Sequence, residues 1–260
     1  GTCHLENLGD RDGVLKAKTE IFQSMKPNGH IVLNGDDDKL ITVREYNGVK
    51  PVFFGLNSER DVYADQVESK GLKGVACRIH LGEDAPGIHM VYNALAAAAV
   101  GRIYGLTIEE IRRGIESLET IRGRFKMIET DKFLVVDDCY NANPMSMKAS
   151  LDVLHDGEGR RVAILGDMGE LGEDEAALHE GVGIHAATCG IDACVCVGDL
   201  AVHIAEAARK ANPDFPVYYE KTRESLLEHL NDYVQKGDTI LVKASHFMKF
   251  EEVVKALEEM

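Results

Sequence analysis

The densest set of groups that could do chemistry in this chain is Asp137-Asp138-Cys139-Tyr140-Asn141-Ala142-Asn143-Pro144. It stands directly behind the apolar run Phe133 to Val136, which reads as a buried strand, and a helical pattern resumes after it. Pro144 suits the first helical position and Asn143 the N-cap. Two carboxylates thus end a strand and the chain turns sharply into a helix N-terminus. Open α/β sheets bind ligands outside such strand ends, and helix N-termini attract anions. The plain alternative is a βα turn that uses Asp and Asn as turn formers.

Further candidates lie elsewhere. His4 and Glu6 sit close together near the start. In the helical pattern from Gly13 to Met25, Val14, Ile21, Phe22 and Met25 share one face. Lys18 falls in that apolar stripe, whereas Lys16 lies off it. An ammonium there must snorkel to water or else be paired, neutral or modified, because burying it unpaired is costly. Asn93 is the polar exception in the alanine-rich helix His89 to Tyr104, where a buried amide needs partners. Cys194 and Cys196 lie two apart in an apolar strand and read as small core residues of a reducing compartment. No cysteine pair has zinc-ribbon spacing.

The elements that must position these groups follow from periodicity. Residues 40 to 80 alternate short β patterns, Leu40 to Tyr46, Val52 to Gly55 and Val75 to Ile79, with polar turns. Thr107 to Leu118 is a helix opened by a Thr107–Glu110 capping box, with Ile108, Ile111, Ile115 and Leu118 as its core stripe. The pattern stops at Glu119 to Arg124, a domain boundary. A new strand, Phe125 to Glu129, follows, and from there strands alternate with helices: Phe133 to Asp137, Arg161 to Leu165, Ala193 to Val197, Val217 to Tyr219 and Thr239 to Val242, with helices near 144–155, 173–188, 199–210, 222–235 and 246–258. That alternation predicts a parallel sheet with helices on both faces. Its strand ends carry Asp137 and Asp138, Gly166 and Asp167, Gly198 and Asp199, then Lys243 and Ser245, all on one edge.

The 260 residues carry a net charge of −15, which disfavours general binding to nucleic acid or anionic membrane. No apolar run is long enough to span a bilayer. No GxGxxG follows any strand, which argues against a dinucleotide dehydrogenase.

With these residues in view, the chain resembles the Mur ligase family, and within it the branch that adds D-alanyl-D-alanine to UDP-N-acetylmuramoyl-tripeptide. The matching stretches are HLENLGDRDGVLKAKTEIF, the NGDDD turn, HMVYNALAAAA, the GRF of Gly123 to Phe125, DDCYNANPMSMKA and ILGDMGELGEDEAALHEGVG. The combination of DDxYNANP with GDMxELG is specific to that branch. The resemblance implies an α/β chain made of a partial central ATPase domain, residues 1–120, and a C-terminal Rossmann-like parallel-sheet domain, residues 121–260. It also implies a fragment, because the family's GxxGKT phosphate loop is absent and so is the acidic magnesium ligand expected ahead of Gly1.

The activity the resemblance implies is ATP-dependent amide ligation through an acyl phosphate in peptidoglycan synthesis. ATP and Mg2+ would be the cofactors, UDP-MurNAc-tripeptide and D-Ala-D-Ala the partners, and the cytoplasm the location, with this chain alone inactive. His4 matches the magnesium-ligand histidine, and Lys18 the lysine that becomes a carbamate and so an anionic metal ligand. Asn93 matches an adenine-contacting asparagine, Arg124 the nucleotide-contacting arginine and Asp138 the ribose-binding aspartate. Lys243 falls with the nucleotide-binding residues, and Ser245, Asn141 and Asn143 with the substrate-binding ones. His179 belongs to a branch motif without an assigned role. Two departures stand out: Met90 replaces the Asn of the HN-x-x-N motif, and His246 replaces an arginine after Ser245. The alternatives are a non-catalytic nucleotide- or peptide-binding Rossmann-like module, or a related Mur or folylpolyglutamate-type ligase with another amine substrate.

Overall fold

Short runs of Val, Ile, Leu and Cys bounded by Gly, Asp and Asn build the strands, and the longest of these runs lie after residue 120. The computed structural model describes residues 8, 10–70, 72, 74–81, 84–88, 91–118 and 120–260. The described chain folds as two compact units, one from Leu8 to Glu119 and one from Thr120 to Met260.

In the first unit a helix, α1 (Arg11–Thr19), precedes five strands and two helices. The strands are β1 (Val32–Asn34), β2 (Val52–Gly55), β3 (Val62–Ser69), β4 (Val75–His80) and β5 (Asp84–Ile88), in sheet order β1-β2-β3-β4-β5. The first three run parallel, while β4 and β5 pair antiparallel. Helices α2 (Val91–Ile103) and α3 (Ile108–Glu116) follow. Ala94, Leu95, Ala98 and Ala99 of α2 bury against Val62, Ala64 and Ile79, the alternate residues of β3 and β4 that face one side. Thr107 caps α3 in the expected box with Glu110.

Three sequence expectations fail in this unit. Leu40–Thr42 is a 3-10 turn, not a strand, because the Asp37 carboxylate accepts the N–H groups of Lys39 and Leu40 and winds the chain. The stripe on the first helix is not a buried face. The helix ends at Thr19 and tightens into a 3-10 turn over Glu20–Ser24, which changes the phase of the pattern. Ile21 is 71% exposed, Lys18 is exposed and no residue of α1 is buried. Asn93 lies on the exposed side of α2, since its neighbours Ala94 and Leu95 take the buried side.

The second unit is a six-stranded sheet in the order β10-β9-β8-β11-β7-β6. Its strands are β6 (Lys126–Glu129), β7 (Leu134–Asp137), β8 (Arg161–Gly166), β9 (Ala193–Val197), β10 (Val217–Glu220) and β11 (Thr239–Lys243). Five run parallel, while β6 pairs antiparallel with β7 at one edge, an arrangement the alternation does not disclose. The helices are α4 (Pro144–His155), α5 (Glu175–Thr188), α6 (Ala201–Ala211), α7 (Arg223–Tyr233) and α8 (Glu251–Glu259).

The steps β7→β8→β9→β10 all move the same way across the sheet, so right-handed crossovers put α4, α5 and α6 on one face. The return from β10 to β11 moves the other way and puts α7 on the opposite face, where α8 joins it. Burial follows this division. Val135, Val162, Ile164, Val195, Ile240 and Val242 pack with Leu226, Leu230, Val253 and Leu257 in one core cluster, and the alternate strand residues point to the other face. β11 therefore lies between β8 and β7, whose connections leave on the face opposite α8. That is the topological switch point at which such sheets bind ligands. One helix also differs from expectation: residues 246–258 form a 3-10 turn (His246–Met248) and α8, separated by Lys249 in the left-handed conformation (φ 53°).

Candidate functional site

The carboxyl edge of β7, β11 and β8 gathers the polar groups of the second unit. Asp137 and Asp138 end β7 on opposite faces and do different work. Asp137 is buried, and its Oδ2 accepts the Gly123 N–H at 2.8 Å. Gly123 itself has φ +77°, a conformation that L side chains rarely adopt. Cys139 donates its thiol proton to Asp137 Oδ1 at 3.0 Å. Burial, reinforced by that bond, pushes the Cys139 thiol far above the ordinary range, so it is inert as a nucleophile. Asp137 is thus a fastener for the chain entering the domain.

Asp138 faces α4. Its Oδ1 accepts the Phe125 N–H at 3.1 Å, and its Oδ2 accepts Ser150 Oγ–H at 2.8 Å and Lys243 Nζ–H at 2.6 Å. Lys243 also donates to the Asn141 carbonyl at 3.1 Å. The side chains of Lys243 and Asp138 are 3% and 16% exposed, so this is a buried, charge-assisted pair, held as buried charges must be. Its valences are not all spent. A carboxylate has about four acceptor positions and an ammonium one more N–H than these bonds use.

Ser245 follows two residues after Lys243. Its N–H donates to the Asp167 carbonyl at 3.1 Å, and its Oγ accepts the Gly169 N–H at 2.9 Å. The residue is 5% exposed, and among the described residues its O–H has no acceptor. Asp167 at the end of β8 accepts the Leu200 and Ala201 N–H groups on Oδ1 at 3.1 and 2.7 Å. Burial raises the Asp167 carboxyl above its ordinary value.

Arg124 is exposed, its guanidinium 4.3 Å from the centre of the Tyr140 ring, and Tyr140 in turn meets the His246 ring at 5.5 Å. Phe125, Glu170 and Lys249 have φ of 55°, 61° and 53° in the loops around this edge. Such backbone strain in non-glycine residues concentrates at functional sites.

The structure brings together Asp138, Asn141, Lys243 and Ser245, with Arg124 close by on Tyr140. Asn143 is engaged locally: its Oδ1 accepts the Ser146 N–H at 2.9 Å in a reciprocal cap of α4. Asn141 is exposed, with its Oδ1 on the following N–H. Asn93 and Lys18 belong to the first unit, where both are exposed. His4, His89 and Met90 lie outside the described residues. Sequence reasoning assigns no role to Ser150, Tyr140 or His179. Ser150 has no signature of its own, and Tyr140 and His179 are visible only as parts of motifs.

Two family models match the chain: the Mur ligase middle domain over residues 1–101 and the Mur ligase glutamate ligase domain over residues 123–246. The UDP-N-acetylmuramoyl-tripeptide–D-alanyl-D-alanine ligase of Bacillus subtilis (strain 168) is 34% identical over 267 residues, covering 100% of this chain and 58% of that protein. A crystal structure of MurF from Acinetobacter baumannii superposes with a TM-score of 0.86 at 29% identity, covering 100% of this chain and 58% of its own. MurF ligase from Thermotoga maritima, solved in complex with ADP, gives a TM-score of 0.80 at 26% identity, covering 100% of this chain and 60% of its own. The chain therefore spans little more than half the length of these relatives. Both matched domains and the relatives that span the whole chain agree, and the chain belongs to the Mur ligase family.

Proposed function

We propose that this chain is part of an ATP-dependent ligase that joins D-Ala-D-Ala to UDP-MurNAc-tripeptide through an acyl phosphate in peptidoglycan synthesis, and that the chain alone does not turn over. The observation that carries the reading is the match to the Bacillus subtilis ligase over the whole chain at 34% identity. The domain division enters the same proposal: residues 1–120 as part of the central ATP-binding domain, and 121–260 as the C-terminal Rossmann-like domain.

The residues at the carboxyl edge fit a nucleotide and an anionic or amide substrate. Asp138 retains acceptor capacity for a ribose hydroxyl, and Arg124 offers an exposed guanidinium to phosphate or ring. Lys243 and Ser245 each hold an unspent donor on a desolvated strand end, where hydrogen bonds to an oxyanion are strong. Bound ATP would supply the phosphoryl group that activates the tripeptide carboxylate. The part of the second unit is to hold the nucleotide at Asp138, Arg124 and Lys243 and to orient the acceptor at Ser245, Asn141 and Asn143; Asn93, in the first unit, is proposed separately as an adenine contact. His246, in place of arginine, offers an imidazole beside Tyr140.

Mg2+ enters the proposal through His4 and a carbamylated Lys18. Among the described residues no group of three His, Cys, Asp or Glu is placed to hold an ion, and His4 lies outside them. The free thiols of Cys77, Cys139, Cys189, Cys194 and Cys196 fit a cytoplasmic location. Among the described residues no helix is long and apolar enough to cross a membrane.

The test is phosphate release from ATP in the presence of UDP-MurNAc-tripeptide and D-Ala-D-Ala, run on this chain and on the full-length protein. Turnover by the full-length protein alone is the expected result. Turnover by this chain would overturn its assignment as an incomplete site. Product masses with other amines in place of the dipeptide test the acceptor assignment.

A further inference from the structure

The imidazole of His179 is fully buried and takes no part in the functions assigned above. It lies one turn into α5. Its Nδ1 meets the Glu175 carbonyl at 2.7 Å, and its Nε2 meets the backbone N–H of Met168 at 2.9 Å. A backbone N–H can only donate, so Nε2 must be bare, and Nδ1 carries the proton that the Glu175 carbonyl accepts. Only the neutral ring in this one tautomer satisfies both contacts. The charged and titratable groups facing it are Asp167 at the end of β8, Glu175 on its own helix and His203 on α6. Burial outweighs the Glu175 carbonyl bond and the two acids and lowers the pKa of the ring below the ordinary histidine value, which favours the neutral form.

The Met168 N–H belongs to the loop that leaves β8. Asp167, one residue before, is tied by Oδ1 to the start of α6 and by its carbonyl to Ser245 N–H. Gly169, one residue after, donates its N–H to Ser245 Oγ at 2.9 Å. Both bonds to Ser245 therefore come from residues flanking the one that His179 holds. Because the Gly169 N–H occupies a lone pair of the Ser245 hydroxyl, the O–H proton is directed away from that bond. Without the imidazole acceptor, the buried Met168 N–H would be orphaned and the loop would turn to satisfy it. The Gly169 N–H would then leave Ser245.

We propose that His179 is a positioning residue: its neutral Nδ1–H tautomer clamps the loop after β8 so that Gly169 fixes the Ser245 hydroxyl as a donor to the bound acceptor substrate. The clamp itself is a property of the fold. Its consequence for the acceptor rests on the reading of Ser245 given above.

Nitrogen-15 spectra of the unaltered chain near neutral pH should show His179 protonated at Nδ1 and bare at Nε2. Protonation at Nε2 would overturn the proposal without any variant. Amide hydrogen exchange then compares His179→Leu, which cannot accept, with His179→Gln, whose amide can both accept and donate. Protection of Met168 and Gly169 should fall about tenfold or more in His179→Leu, as expected for the loss of a hydrogen bond, and be largely restored in His179→Gln. The amides of β9 should keep their protection in both. Equal loss across β9 would mean that His179 only fills the core, and unchanged protection at Gly169 would mean that it clamps nothing.

In the full-length protein, His179→Leu should raise KM for D-Ala-D-Ala severalfold and leave KM for ATP within about twofold, since uniform binding is lost at one substrate only. An equal rise in both would overturn the link to the acceptor. If exchange responds as described while the unaltered full-length protein ligates no dipeptide, the proposed reaction fails and the clamp stands.

Discussion

Removing either partner of the Asp138–Lys243 pair should have unequal costs, and the inequality follows from what each side chain keeps. Asp138→Ala leaves the Lys243 ammonium, 3% exposed, with the Asn141 carbonyl as its remaining partner. It also takes the acceptor from Phe125 N–H, while Ser150 Oγ–H keeps the Ser146 carbonyl at 2.9 Å. An uncompensated buried charge of this kind costs about 3–5 kcal/mol. Lys243→Met leaves Asp138 with two donors, Phe125 N–H and Ser150 Oγ–H, and with 16% of its side chain open to water. Met also fills most of the volume of the lysine stem, so the expected cost is about 1–2 kcal/mol. With both replaced, the ammonium is gone and only lost hydrogen bonds remain. The double variant should then be no less stable than Asp138→Ala, and the two changes should be non-additive by about 2 kcal/mol. Guanidinium unfolding of the chain, followed through the transition of the second unit, measures all three. Equal costs for the single variants, or strict additivity, would refute the argument that burial of the ammonium sets the energetics of this edge.

Three further outcomes follow from the same edge. Gly198 has φ +124°, and a Cβ there would lie 2.3 Å from Asp167 Oδ1. Gly198→Ala should therefore cost about 3 kcal/mol or more in chemical denaturation, whereas Gly237→Ala, at φ +94° with open space around it, should cost only the backbone strain of about 1 kcal/mol. Asn143→Ala should remove about 1 kcal/mol through loss of the α4 cap, and Asn143→Ser should restore stability, so that any loss of dipeptide binding in Asn143→Ser reports a ligand contact and not the cap. The pKa of His179 is lowered by burial, so the unfolded chain binds more protons below 6.5. The neutral ring's contribution is full above that value and is lost as pH falls toward the depressed folded pKa. The midpoint of unfolding should thus drop on acidification below 6.5 with a slope of at most one proton, and His179→Gln should remove that part of the slope. Asp167, raised by burial, acts in the opposite sense: its ionisation destabilises the fold as pH rises from 3.8.

The second unit is legible in the sequence because its strands are buried on both faces. Ala193–Val197 and Pro144–His155 have the ends that the sequence predicts, since an uninterrupted apolar run and an Asn143-Pro144 start leave little choice of boundary. The antiparallel course of β6 is not legible. Strand direction is set by the short turn between β6 and β7, in which Thr130 N–H donates to the Phe133 carbonyl, and not by any periodicity in Lys126–Glu129. The helical reading of 246–258 fails at Lys249, a non-glycine residue in the left-handed conformation next to the buried Phe250. In the first unit the helical stripe predicts a buried face that the fold does not supply. Periodicity reports which residues could share an interface, but burial requires a partner surface, and none of the described residues supplies one for Ile21.

The site is legible at the level of residue types and not of bonds. Asp137 and Asp138 are adjacent and identical in kind, and no spacing rule separates the fastener from the candidate ligand. Their roles part because β7 turns one side chain toward Gly123 and the other toward α4, where Ser150 and Lys243 meet it. Lys243 meets Asp138 only because β11 returns across the sheet to lie beside β7, which pairs Val242 with Asp137 across a long stretch of chain. The same return sets Ser245 against the loop after β8. The late crossover from β10 to β11 is therefore the step that turns four separated polar residues into one edge. A lesion that shifted β11 by one residue would turn Lys243 to the face of α8 and dissolve the cluster without touching a single one of its members.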